Sequence, residues 1–138
     1  YWLAGLFGGV PLKLDETQSI ETEPMARATA AETYAQIAKD LTEAAAVLPN
    51  GWPTADFGRA TKGAALTLLG KAYLQHASAF GATADYQKAL DAFRQAAALG
   101  YVLDPNYASL FDGTNEQSRE IIWSIQNTRV DGYGGTLS

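Results

Sequence analysis

Apolar residues recur at three- and four-residue steps in three stretches of the chain, and each stretch is bounded by recognisable start and stop residues. Thr29-Ala30-Ala31-Glu32 has the form of a capping box, in which hydroxyl and carboxylate satisfy each other's backbone N–H groups. Tyr34, Ile37, Leu41, Ala44, Ala45 and Leu48 then share one face, with Glu32, Lys39, Asp40 and Glu43 mostly elsewhere, until Pro49-Asn50-Gly51 ends a helix of about five turns. The connection from Trp52 to Ala60 reads as an ordered loop pinned by Trp52 and Phe57. Thr61 is positioned to cap a second helix with a stripe of Ala64, Ala65, Leu68, Leu69, Ala72 and Tyr73, widened by Leu66 and Leu74. Phe80-Gly81-Ala82-Thr83 breaks that pattern. Thr83 or Asp85 can then cap a third helix carrying Tyr86, Ala89, Leu90, Phe93, Ala96 and Ala97, closed by Gly100 at C′. Beyond a turn around Asp104-Pro105-Asn106, Tyr107, Leu110 and Phe111 read as apolar anchors. Ile121, Trp123 and Ile125 alternate within Glu120–Gln126, which predicts one short C-terminal strand.

A repeat lies under the helices. Leu69-Gly70 with Tyr73, followed by Tyr86, Ala89, Phe93 and Ala96, resembles the tetratricopeptide helix-turn-helix spacing with a lengthened turn from Ala77 to Thr83. Tyr34, Ile37, Leu41 and Ala44, followed by Pro49, repeat the second-helix spacing, and Tyr1–Phe7 reads as the end of that unit's first helix. The expected fold class is therefore mostly α: helical hairpins of an α–α superhelix, each burying the other's apolar face. The aromatics on these helices are read as core, and Phe93→Ala is expected to cost about 3–5 kcal/mol as a buried large-to-small change.

Composition narrows the function classes. With 138 residues, 47% hydrophobic and 18% charged, residues 1–138 read as one unit with a core of its own. The absence of cysteine removes thiol catalysis, iron–sulfur clusters and cysteine-ligated zinc. A net charge of −5 with no basic run argues against nucleic acid, whose binding needs clustered positive charge. The uncharged run Tyr1–Leu12 is too short to span a bilayer and lacks the basic flank of an export signal. The uncapped start and the turn-rich Asp131–Gly135 lead us to expect an internal segment of a longer protein.

Four patches, in this order, resemble the SusD/RagB family of outer-membrane nutrient-binding lipoproteins. They are Leu6-Phe7-Gly8-Gly9-Val10-Pro11-Leu12; Arg27 to Tyr34 with Ile37, Asp40-Leu41 and Leu48-Pro49; Gly58-Arg59-Ala60-Thr61-Lys62-Gly63-Ala64-Ala65 leading into Leu69, Lys71-Ala72-Tyr73-Leu74; and Tyr107, Leu110-Phe111, Asn115-Glu116 with Glu120-Ile121-Ile122-Trp123. The resemblance implies a non-catalytic cell-surface subunit, lipid-anchored in the outer membrane, that captures a glycan or other nutrient and delivers it to a SusC-like TonB-dependent transporter. It implies no cofactor and no metal, and an anchor outside these residues. The alternative is a tetratricopeptide-type adaptor for a peptide or protein, against which the long turn and the terminal strand argue. An all-helical glycoside hydrolase stands third.

Sugar recognition sets an exposed aromatic ring against a pyranose face and reads the hydroxyls with amides and charged groups. Trp52, in its Asn-Gly-Trp-Pro loop, and Tyr133, among Gly132, Gly134 and Gly135, are the candidate ligand-binding residues. Trp123 reads as core because it shares a strand face with Ile121 and Ile125. Gly58–Gly63 lacks the Gly-Lys-Ser/Thr ending of a phosphate loop, so it reads as a helix start at which Arg59 and Lys62 could hold an anion. His76, the only histidine, reads as a polar helix-face residue, and Asp112, Asn115 and Glu116 are weighed as oxygen ligands for calcium without an EF-hand's spacing. No pair of acids and no serine stands in a catalytic context, so no catalytic residue is assigned.

Overall fold

Two threonines open the two long helices. The computed structural model describes residues 1–16 and 25–126, and among them four α-helices form: α1 (Trp2–Phe7), α2 (Ala30–Val47), α3 (Lys62–Phe80) and α4 (Asp85–Ala97), with 3₁₀ turns at Thr54–Asp56 and Tyr107–Leu110. At α2 the capping box is complete: Glu32 N donates to Thr29 Oγ1 at 3.2 Å and Thr29 N donates to Glu32 Oε2 at 2.8 Å. The bond from Thr29 N, and a second from Thr29 Oγ1 to the same Glu32 oxygen at 2.7 Å, hold the Glu32 carboxyl below its usual range. The helix stops at Val47 because Leu48 precedes Pro49 and takes an extended conformation, ψ 142°. Thr61 Oγ1 accepts from Ala64 N at 3.2 Å to start α3, and Gly81, with φ 72° and ψ 14°, ends it in the left-handed region.

α3 is the centre of the fold, packed against α2 on one side and α4 on the other, while α1 lies lightly on α2. Its buried residues, Gly63, Ala65, Leu66, Leu69, Gly70, Ala72 and Ala77, are almost all small, which is what lets two helices approach one axis. Ala45, Ala65, Leu66 and Ala96 form one core cluster, and Ala4, Tyr34 and Ala72 form another. The expected tetratricopeptide-like hairpins are thus present: α1 with α2, and α3 with α4.

Several expectations need correction. No strand forms among the described residues; Glu120–Gln126 is irregular, because no described strand lies beside it to accept a ladder of hydrogen bonds. The lengthened turn is mostly helix, since α3 continues to Phe80 and leaves a short connection to α4. Neither Thr83 nor Asp85 caps α4. Ala84 stands at the cap without a side-chain bond, and the Asp85 carboxylate is taken by other partners. Gly100, φ 86°, falls two residues past the cap residue Ala98. Tyr107 and Phe111 are 72% and 73% exposed and meet in a tilted pair, ring centroids 5.1 Å apart at 58°, with no further described layer to cover them. Phe93 is half-buried over Gly70, so the cost of Phe93→Ala moves to the lower end of the about 3–5 kcal/mol range.

His76 is not a free polar-face residue. Its Nδ1 donates to Asp85 Oδ2 at 2.7 Å, Lys88 Nζ meets Asp85 Oδ1 at 2.7 Å, and its ring stacks on Tyr34 with centroids 4.8 Å apart. One carboxylate therefore ties α3 to the start of α4, beside a ring from α2. Burial pushes the Asp85 carboxyl upward, but the bonds from Lys88 and His76 and their charges outweigh it, and the net shift is downward. A carboxyl depressed in the folded state stabilises above its unfolded pKa and loses that contribution as pH falls through the folded value. Asp85→Asn is expected to cost about 1–3 kcal/mol at neutral pH and to flatten the acid side of the stability curve below the usual aspartate range; urea melts at stepped pH read both.

Candidate functional site

The loop joining α2 to α3 is stiffened from within. Asp56 N donates to Pro53 O at 2.8 Å, Phe57 N to Thr54 O at 3.2 Å, and Lys62 N returns to Pro49 O at 2.9 Å. Against this loop lies the arm of residues 117–126, and the two enclose a cavity of about 200 Å³. Both carry a tryptophan into it. Trp52 Nε1 donates to Ala60 O at 2.8 Å, and Trp123 Nε1 donates to Gly58 O at 2.9 Å. Two indoles are thus anchored to carbonyls two residues apart, while the residues Trp52 and Trp123 remain 37% and 50% exposed. Gly58 is required at that point. Its φ is 93°, and a Cβ would fall 2.5 Å from Gln126 Cγ.

The arm is held by one carboxylate. Asp104 accepts from Asn106 N at 2.9 Å, Asn115 Nδ2 at 2.6 Å and Ser118 Oγ at 2.9 Å, while Glu120 Oε2 accepts from Asp104 N at 2.6 Å. The Asn106 backbone, then Ser118, lead the bonds that keep the Asp104 carboxyl below its ordinary range. The Asn106 backbone and the short side chains of Asn115 and Ser118 lie in a turn-rich stretch, and folding them onto Asp104 delivers Trp123 to the Trp52 loop. Around the rings the cavity presents amides and hydroxyls from Asn50, Gln117, Gln126, Thr61 and Ser124, with Arg59 over Trp52 at 5.5 Å from the ring centroid.

The structure distributes the sequence candidates unevenly. Trp52 lines the cavity as a half-exposed ring. Tyr133 lies outside the described residues. Trp123, read from sequence as core, is a second ring of the same cavity; its amide-rich company, Gln117 and Gln126, was the available signal, masked by the alternation of its isoleucine neighbours. Arg59 and Lys62 part company, Arg59 lining the cavity and Lys62 a separate groove with residues of α2, α3 and α4. Asp112 turns its oxygens to Thr114, and Asn115 turns to Asp104, so these residues do not converge on a cation. Among the described residues no cluster of three metal-ligating side chains forms. A larger groove of about 580 Å³ lies between α2 and α4, but its rings are already engaged: Tyr34 is buried and stacked on His76, His76 is bonded to Asp85, and Lys88 lies over Tyr73 at 5.3 Å from the ring centroid.

Residues 1–74, more than half of the chain, match the SusD-like family model described as "starch-binding associating with outer membrane". The chain belongs to the SusD-like family. A curated family member, SusD-like protein P25 of Formosa agariphila, is 29% identical over 126 residues, covering 91% of this chain and 23% of that protein. Two crystal structures from Bacteroides fragilis share the fold. A SusD-like protein aligns at 30% identity with a TM-score of 0.75, covering 90% of this chain and 24% of the other. A SusD-like carbohydrate-binding protein aligns at 30% identity with a TM-score of 0.78, covering 92% and 24%. The chain therefore spans about a quarter of the length of these SusD-like relatives.

Proposed function

We propose that this SusD-like chain belongs to a non-catalytic, lipid-anchored cell-surface protein that binds a glycan and delivers it to a SusC-like TonB-dependent transporter of the outer membrane. The observation that carries the binding role is the pair of indoles, Trp52 and Trp123, each fixed through its N–H to the Gly58–Ala60 backbone and each leaving ring surface open in a cavity rich in amides. Rings held this way meet a sugar face without losing rotamer freedom on binding. Tyr133 joins them as a proposed contact on its glycine-rich surroundings alone. Hydrolysis of a glycosidic bond calls for two carboxyl groups flanking it, and no carboxylate lines this cavity among the described residues. The lipid anchor is proposed from the family resemblance and the outer-membrane association in the family's description; no helix among the described residues is long and apolar enough to cross a membrane.

Tryptophan fluorescence titration with a panel of oligosaccharides tests the reading. Trp52→Ala is expected to weaken binding about tenfold, equal to about 1.4 kcal/mol, while the melting temperature stays near that of the parent because the ring sits in a loop. Unchanged affinity in Trp52→Ala and Trp123→Ala would remove the cavity as the binding site.

A further inference from the structure

The cavity is electrically one-sided. Carboxylates, as acceptors with two oxygens, are natural partners for the hydroxyls of a neutral sugar. None lines this cavity among the described residues, although the chain carries 15 acidic residues against 10 basic ones. Among the described residues its single ionised lining side chain is Arg59.

Arg59 is placed to act outward. Its Nη2 meets Asp56 Oδ1 at 2.9 Å, with the two side chains 64% and 36% exposed. Such an open pair is weak and leaves most of the five guanidinium N–H donors available. The guanidinium lies over Trp52 at 5.5 Å from the ring centroid, and this contact orients the planar fork beside the surface on which a sugar would rest. The start of α3 does not compete, because Thr61 Oγ1 already takes Ala64 N–H and Pro49 O takes Lys62 N–H. The cavity's volume of about 200 Å³ is below the about 300–1,000 Å³ of sites for drug-sized ligands, and suits one sugar ring.

We infer that this cavity seats one uronic acid unit, its ring on Trp52 and its carboxylate in a bidentate contact with Arg59. The inference rests on the glycan-binding reading above and narrows it to acidic glycans. Three probes of equal length separate the two: trigalacturonate, its fully methyl-esterified form, and maltotriose, each titrated into the purified chain and into Arg59→Gln by tryptophan fluorescence. The acid is expected to bind at least about tenfold more tightly than its ester, with that advantage shrinking as salt rises and disappearing in Arg59→Gln, where the loss falls far more heavily on the acid than on the ester. An ester or maltotriose that binds as tightly as the acid overturns the uronate assignment and leaves the glycan reading standing. Equal loss of acid and ester binding in Arg59→Gln also overturns it, making Arg59 a support for Trp52. Failure of all three probes to bind overturns both readings.

Discussion

Tyr34→Ala is expected to lower the unfolding free energy by about 3–5 kcal/mol, seen as a large drop in the urea midpoint, whereas Tyr34→Phe leaves it unchanged or raises it. Tyr34 is 3% exposed and forms a core cluster with Ala4 and Ala72, flanked by Ile37 and Leu41. It also meets the His76 ring at 4.8 Å and the Phe80 ring at 5.5 Å. Ala4 and Ala72 are too short to fill the space, and His76 is held by its bond to Asp85, so truncation leaves a cavity that closes only in part. The hydroxyl behaves oppositely. Tyr34 Oη is buried with no hydrogen-bond partner among the described residues, and a buried donor left unsatisfied carries a desolvation penalty of about 1–3 kcal/mol. Phenylalanine keeps the ring and removes that penalty. A Tyr34→Phe protein destabilised by more than about 1 kcal/mol would show that the hydroxyl is bonded in solution.

Gly9→Ala is expected to cost about 3 kcal/mol, at or above the upper end of ordinary overpacking. Gly9 is buried where the segment after α1 crosses the approach to α2, and a Cβ there would land on the Ala28 carbonyl oxygen, 2.7 Å from Thr29 C and 2.9 Å from Ala28 C. Backbone cannot rotate aside as a side chain does. The two segments must separate, and with them go Ala28 N to Val10 O at 3.2 Å, Val10 N to Thr33 Oγ1 at 3.3 Å, and the Arg27 bonds to the Gly9 and Phe7 carbonyls. Thr29, the cap of α2, is the next residue along. Gly51→Ala is the control: a Cβ there meets nothing within 4 Å, so its stability should stay within about 0.5 kcal/mol of the parent. Thermal melts of the two variants side by side decide it, and equal melting temperatures would show that the crossing is not tight.

The helices were legible because their signals are local. A threonine that caps, a proline that forbids continuation and an apolar stripe at helical spacing act within one or two turns, and Thr29, Thr61, Pro49 and Gly81 do in the structure what their positions suggest. The misreadings fall where a side chain's partner is distant in sequence. Asp85 was available as a cap from its position alone, yet its carboxylate goes to His76, nine residues back. Trp123 alternates with isoleucines as a strand residue would, yet its N–H goes to Gly58, 65 residues away.

The candidate site follows the same division. That Trp52 occupies a stiff loop was readable from Asn50-Gly51 and Pro53. That Arg59 lies over the Trp52 ring was not, because the two meet only once the intervening turn Thr54–Asp56 has folded.

By itself the sequence determined a helical chain, its helix boundaries to within a few residues, the small-residue packing of α3 and the family the chain belongs to, because caps, breakers and periodicity are local and the family's patches are linear. Only the tertiary structure decided that Glu120–Gln126 would be an arm rather than a strand, that His76 would be tied to Asp85, and that Trp52, Trp123 and Arg59 would share one cavity. Those outcomes depend on which backbone carbonyl or carboxylate lies within about 3 Å of a donor, and no pattern along the chain encodes that distance.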